Sequence, residues 1–276
     1  MIITSELPTK IYKKFTDFYI HDVQKRNILN NISIFTVNFN NMYATCNMLY
    51  SFYNNINYNI PIYIIDNSTI LEKNISIIYD NFNIIDNRNF KLLPNLNDIS
   101  KNHSLTIDYA LYNVIQTDYV ILCDYDIIFK KNINDILNNF NEYDIIGTIE
   151  DGYVPPLRLT PVFCILNVKK IKENNIRYFD NNKCKVPITP FKKRTFIYDK
   201  YYDIDTVFYY DTGSSFLEEI LRRQWSLKNI VPDLYYEHFD GLGHIETLLK
   251  DTSYIKRKYI NYNDFISKNK HHIYNM

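Results

Sequence analysis

The sequence predicts an α/β protein: a mainly parallel central sheet flanked by helices, in a single domain. Three observations carry this. Short apolar runs at Ile32–Val37, Ile62–Ile65 and Tyr119–Cys123 have the length and composition of strands buried on both faces. Each run stops at a polar cluster: Asn38-Phe39-Asn40-Asn41, Asp66-Asn67-Ser68 and Asp124-Tyr125-Asp126. Between the first two runs, Met42 to Asn54 places Met42, Cys46, Leu49, Phe52 and Tyr53 at helical spacing. A strand, a helix of that length and a second strand make a right-handed parallel crossover.

The remaining elements follow in chain order. The first 30 residues are polar and mixed, and read as a helix or an arm. Pro61 introduces the second strand. Ile75–Ile78 and Phe82–Ile85 read as further strands, and Leu105–Ile115 as a helix with Leu105, Tyr109 and Tyr112 on one face. Beyond the third strand, Asp144–Ile149 and Val162–Asn167 read as strands, Ile133–Phe140 and Val168–Asn174 as helices. Residues 181–203 carry Lys183, Lys185, Lys192, Lys193, Arg194 and Lys200 with two prolines, and read as a loop. Ser214–Arg223 has an apolar face of Phe216, Ile220 and Leu221, with Thr212 or Ser214 as its cap. With no internal repeat and no Gly/Ser linker, residues 1–276 are expected to form one domain.

Composition excludes several classes. The 276 residues carry 31 Lys+Arg and 31 Asp+Glu, so net charge is zero, and 46% are hydrophobic. That combination argues against disorder. Without a basic excess, a nucleic-acid partner is not expected. The 26 tyrosines, with abundant Asn and Ile, fit AT-rich coding and say little about function. Cys46, Cys123, Cys164 and Cys184 form no CxxC pair, and Cys123 and Cys164 lie in apolar runs, as buried free thiols do. The N-terminus has no apolar core of signal-peptide length, and no run is long enough to span a bilayer. A cytoplasmic protein is expected, with peripheral membrane contact at most. Lys256, Arg257, Lys258, Lys268 and Lys270 would serve that contact, although a solvated final helix is the favoured reading.

The chemistry concentrates at the strand ends. In open α/β sheets, ligands bind outside the carboxyl ends of the strands. Asp124 and Asp126, one residue apart after a buried strand, suit a hard cation such as Mg²⁺ or Mn²⁺, which keeps phosphate oxygens as further ligands. A carboxylate such as Asp66 at the preceding strand end suits a ribose hydroxyl or a base N–H. No Gly-rich phosphate loop is present, so phosphates must be held by metal, basic side chains or helix N-termini. Neither a G-x-S-x-G nucleophile elbow nor an H-E-x-x-H zinc helix occurs.

The order S-I-F-T-V-N-F-N-N, P-I-Y-I-I-D-N-S and D-Y-V-I-L-C-D-Y-D-I-I-F resembles the nucleotide-sugar half of a GT-A fold glycosyltransferase, family 2-like, over residues 31–130. The resemblance implies that residues 131–276 form the acceptor half. It places Thr36, Asn38 and Asp66 around the base and ribose, and Asp124 and Asp126 at a metal-bridged diphosphate. His103 and Asp108, within H-S-L-T-I-D, would approach the donor. A late histidine would complete the metal site: His238 is the first choice and His244 the second, in a segment holding two of only five glycines. The implied cofactors are Mn²⁺ or Mg²⁺ and a UDP-sugar, with a GDP-sugar as the other donor. The acceptor would be a glycan, a lipid-linked molecule or a protein. An inverting transfer needs a carboxylate base for the acceptor hydroxyl. Asp211 stands where that base is expected, with Glu150 and Asp151 as rivals. Arg158 and Lys192-Lys193-Arg194 could neutralise the leaving diphosphate, the latter on a closing lid. Two alternatives are a nucleotidyltransferase of related fold and a non-catalytic nucleotide-sugar-binding module.

Overall fold

The structure is a computed structural model. It describes residues 6–69, 74–94, 99–150, 157–178, 212–239, 261–262 and 264–268, together with the backbone of short strands at 187–190, 195–197, 200–202 and 207–209. The fold is α/β, with a mixed, mainly parallel sheet of seven strands. They are β1 (Ile32–Asn38), β2 (Ile62–Asp66), β3 (Asn83–Asp86), β4 (Tyr119–Cys123), β6 (Ile145–Glu150), β7 (Arg158–Asn167) and β12 (Leu227–Asn229). Their order is β12-β6-β7-β4-β1-β2-β3. The chain divides into two compact units, each drawn from separate stretches: Met1–Leu92, Cys123–Phe140 and Val231–Met276 in the first, Leu93–Leu122 and Asn141–Ile230 in the second.

In the first unit, β1 and β2 run parallel from Ile34↔Ile62 to Asn38↔Asp66, and β2 and β3 run parallel from Tyr63↔Asn83 to Asp66↔Asp86. The register sets Asn38, Asp66 and Asp86 in one row at the carboxyl ends. All seven residues of β1 are buried, which explains its continuous apolar reading. Helix α2 (Met42–Asn54) packs behind it with Met42 to Tyr53 all buried, and Asn41 caps it by accepting from the Ala44 N–H at 3.1 Å. Helix α1 (Glu6–Phe18) closes the outer face, where Phe15 stacks on Phe82 at 5.0 Å and Phe18 on Tyr50 at 4.5 Å. A separate two-stranded ribbon pairs β5 (Ile127–Phe129) antiparallel with β13 (Tyr236–His238). The ribbon is tied to α2: the Phe129 N–H donates to Ser51 Oγ at 3.1 Å, and Asn55 Nδ2 donates to the Phe129 carbonyl at 3.2 Å.

In the second unit, α4 (Ile99–Tyr109) continues into a π-helical turn, Ala110–Val114. Strands β6 and β7 are antiparallel from Ile145↔Leu166, with an irregularity between Gly147 and Ile149. A Cβ on Gly147 would meet Cys164 Cβ and Leu159 Cδ1 at 2.8 Å, so only glycine fits there. Strand β12 joins β6 in parallel. Helix α6 (Val168–Glu173) is capped by Asn167, and α7 (Ser214–Arg222) by Gly213.

Several expectations need correcting. Residues Ser76–Tyr79 form a helical turn, α3, entered through Asn74 at φ 60°, where a strand was expected at Ile75–Ile78. A short apolar run does not distinguish the two by periodicity, and the left-handed Asn decides it. The cap of α7 is Gly213 at φ 85°, not Thr212 or Ser214. A side chain there would run into the Leu159 carbonyl, so close approach to β7 selects glycine. The stretch expected to be a loop contains the strands β8 (Pro187–Pro190), β9 (Thr195–Ile197) and β10 (Lys200–Tyr202). Cys46, Cys123 and Cys164 are buried free thiols, while Cys184 lies outside the described residues. Among the described residues, no helix is long and apolar enough to cross a membrane.

Candidate functional site

The carboxyl end of β2 is a closed hydrogen-bond network. Asp66 is fully buried. Its Oδ1 accepts from Asn38 Nδ2 at 2.8 Å, from the Ser68 N–H at 3.0 Å and from the Ser68 hydroxyl. Its Oδ2 accepts from the Tyr79 hydroxyl at 2.6 Å. Asn38 is fixed in turn, because Thr45 Oγ1 on α2 donates to Asn38 Oδ1 at 2.9 Å. Burial, followed by the hydrogen bond to Asp66, pushes the Tyr79 phenol well above its ordinary value. Thr36 sits two residues back on β1 with its hydroxyl buried and without a hydrogen-bond partner among the described residues.

The end of β3 repeats the pattern one strand over. Asp66-Asn67-Ser68 is matched by Asp86-Asn87-Arg88, and the two asparagines meet, Asn87 Nδ2 donating to Asn67 Oδ1 at 2.6 Å. Arg88 grips Asp86 with two bonds, Nε to Oδ1 at 2.8 Å and an NH2 to Oδ2 at 2.7 Å. Those bonds hold the Asp86 carboxyl well below the usual carboxylate range. The same guanidinium lies over the Tyr79 ring, 4.8 Å from its centroid. Thr45, Tyr79, Asp86 and Arg88 were not picked out from the sequence as site residues. The repeated Asp-Asn at two adjacent strand ends was the available signal.

The second cluster lies on the chain that leaves β4. Asp124, Asp126 and His238 offer ligand atoms that all lie within 4.8 Å of one another. Asp126 is buried, with 8% of its side chain exposed, and His238 is 32% exposed. His238 Nε2 stands 3.5 Å from Asp126 Oδ1. The ribbon builds this meeting: His238 pairs with Ile127, and the Phe239 N–H donates to the Asp126 carbonyl at 2.8 Å. Lys130, just after β5, pairs with Glu237 on β13 at 3.1 Å. Two carboxylates and an imidazole within 4.8 Å of one another form a donor set of the kind a divalent cation takes, leaving its remaining positions to phosphate or water.

The other expected residues are placed differently. Asp108, in the second unit, is buried and accepts from the Tyr178 N–H at 2.6 Å, so it anchors that stretch of chain. His103 lies on α4, half-buried. Glu150 accepts from Arg158 at 3.0 Å, which pairs the rival base with the residue expected at the diphosphate. Asp211, Asp151, His244 and Lys192-Lys193-Arg194 lie outside the described residues.

No protein-family model matches the chain, and no curated protein matches it. Solved structures do. A mannosyltransferase from Pyrobaculum calidifontis, in complex with GDP-Man and Mn²⁺, matches at 10% identity over 93% of this chain and 77% of that chain, TM-score 0.47. The glycosyltransferase GlyE of Streptococcus pneumoniae matches at 14% identity over 74% and 46%, TM-score 0.42. The galactosyltransferase LgtC, in complex with donor and acceptor sugar analogues, matches at 15% identity over 51% and 59%, TM-score 0.39. The chain spans 33% of the bifunctional glycosyltransferase WbbM and 46% of GlyE.

Proposed function

We propose that this protein is a metal-dependent glycosyltransferase that moves a sugar from a nucleotide-sugar to an acceptor hydroxyl, with residues 1–276 acting as one catalytic domain. The observation that carries the reading is the convergence of Asp124, Asp126 and His238 within 4.8 Å, on a ribbon that follows a central strand. In the same unit, the row Asn38, Asp66 and Asp86 marks where a nucleoside would lie. Asp124, Asp126 and His238 would hold Mn²⁺ or Mg²⁺. When bound, the cation supplies charge to stabilise the departing nucleoside diphosphate.

The residues divide the work. Asp66, fully buried and held by Asn38, Ser68 and Tyr79, would fix the strand end against which the base and ribose lie. Asn38 and Thr36 line the same strand end. The donor is a UDP-sugar, or else a GDP-sugar. For an inverting transfer, Asp211 takes the acceptor proton, with Glu150 and Asp151 as the competing positions. His103 and Asp108 would approach the donor, as the resemblance implies.

The test is release of nucleoside diphosphate from a panel of UDP- and GDP-sugars, with and without Mn²⁺. Metal-dependent release that disappears in Asp126→Ala is expected. Absence of release from every donor, with no nucleoside diphosphate raising the melting temperature in the presence of Mn²⁺, would contradict the reading.

A further inference from the structure

The histidine of the cluster sits on a strand of three residues, too short to hold an imidazole in place by its own ladder. What holds it comes from far along the chain. Phe239, next to His238, sets its ring edge-on to Tyr262 at 4.9 Å and against Phe265 at 5.2 Å. Those two residues lie in the helical turns at 261–262 and 264–268. Tyr262 is fully buried, receives a hydrogen bond from Asn47 Nδ2 at 3.1 Å, and meets the Tyr43 ring edge-on at 6.3 Å. Asn47 and Tyr43 belong to the first half of α2, the helix whose Thr45 fixes Asn38. A continuous line of contacts therefore runs from α2 through Tyr262 and Phe239 to His238, and the Phe239 N–H holds the Asp126 carbonyl from the same position.

We propose that Phe239 and Tyr262 are positioning residues for His238, aligning its imidazole with Asp126 so that it completes the metal site. The proposal rests on the metal reading of Asp124, Asp126 and His238. Supporting residues of this kind are worth roughly 10–100-fold in metal affinity. Edge-on aromatic pairs fix ring direction as well as contributing packing, which suits a residue that must aim its neighbour. The line also makes Tyr262 part of the support behind the site.

The experiment measures Mn²⁺ affinity by calorimetry. Pulsed electron paramagnetic resonance detects the ¹⁴N coupling of an imidazole bound directly to Mn²⁺. Phe239→Ala is expected to weaken Mn²⁺ about tenfold, to match His238→Ala, and to lose the ¹⁴N coupling while Mn²⁺ still binds through the aspartates. In the His238→Ala background, Phe239→Ala should cost nothing more, because the two act through one ligand. Phe239→Leu, which keeps an apolar side chain without the ring pair, and Tyr262→Phe, which keeps the ring and removes the hydroxyl that accepts from Asn47, should shift both readouts in the same direction by less. These mild variants carry the test if Phe239→Ala does not fold. Wild-type affinity with intact ¹⁴N coupling in Phe239→Leu and Tyr262→Phe overturns the proposal. So does a tenfold loss on adding Phe239→Ala to His238→Ala. If wild type and Asp126→Ala bind Mn²⁺ equally, the metal reading itself fails, a result separable from both.

Discussion

The end of β2 and the chain leaving β4 both present aspartates, and they are built in opposite ways. Asp66 is fully buried, and named donors from Asn38, Ser68 and Tyr79 occupy both of its oxygens. Asp124 and Asp126 instead share a partly open cluster with His238, their ligand atoms within 4.8 Å. The first arrangement stabilises the fold, because a buried carboxylate with satisfied oxygens returns its desolvation cost through charge-assisted bonds. The second brings two like charges together, a repulsion that a cation between them would relieve. One strand end is closed by its own donors and the other is left partly open, although in the sequence both are an aspartate after an apolar run.

That contrast is testable through stability, beginning with the largest effect. Asp66→Ala strands the hydrogen-bond donors of Asn38, Ser68 and Tyr79, and is expected to cost about 3 kcal/mol in urea unfolding. A cost below about 1 kcal/mol would remove the distinction between the two strand ends. Tyr79→Phe deletes one bond to a charged acceptor and should cost about 1.5 kcal/mol.

Asp86→Asn should cost about 0.5 kcal/mol at pH 7, since the Arg88 pair is partly exposed. The folded carboxyl of Asp86 titrates below its unfolded value, so its contribution is complete above the ordinary carboxylate range and fades as pH falls through the folded value. Unfolding wild type and variant at pH 7 and at pH 3 should show the gap narrowing at the lower pH. A gap that widens there would contradict the pairing. Asp126→Ala should change stability least, by under about 0.5 kcal/mol in metal-free buffer, because losing the contact with His238 is offset by removing a like charge beside Asp124.

Much of the frame was legible in the sequence. Residues 119–123 were expected as a strand and are one, and Met42 to Asn54 was expected as a helix and is α2. These elements are buried along nearly their whole length, so one apolar pattern identifies each. Short half-buried pieces were not legible. Ser76–Tyr79 turned helical because of a left-handed Asn74, and β12 and β13, three residues each, gave no periodicity to read. The aspartates and His238 could be named from their neighbours. The partners that distinguish them could not: Tyr79 reaches Asp66 across 13 positions, and Asn47 reaches Tyr262 across 215. Such contacts exist only once β2, α2 and the ribbon are in place.

The central claim is that Asp124, Asp126 and His238 form a divalent-cation site that receives a nucleoside diphosphate. Calorimetric titration of Mn²⁺ into the full chain, with and without UDP or GDP, tests it most directly. One site per chain is expected, tightened by a nucleoside diphosphate and abolished in Asp126→Ala. Equal Mn²⁺ affinity in wild type and Asp126→Ala, with no gain from either nucleotide, would contradict it.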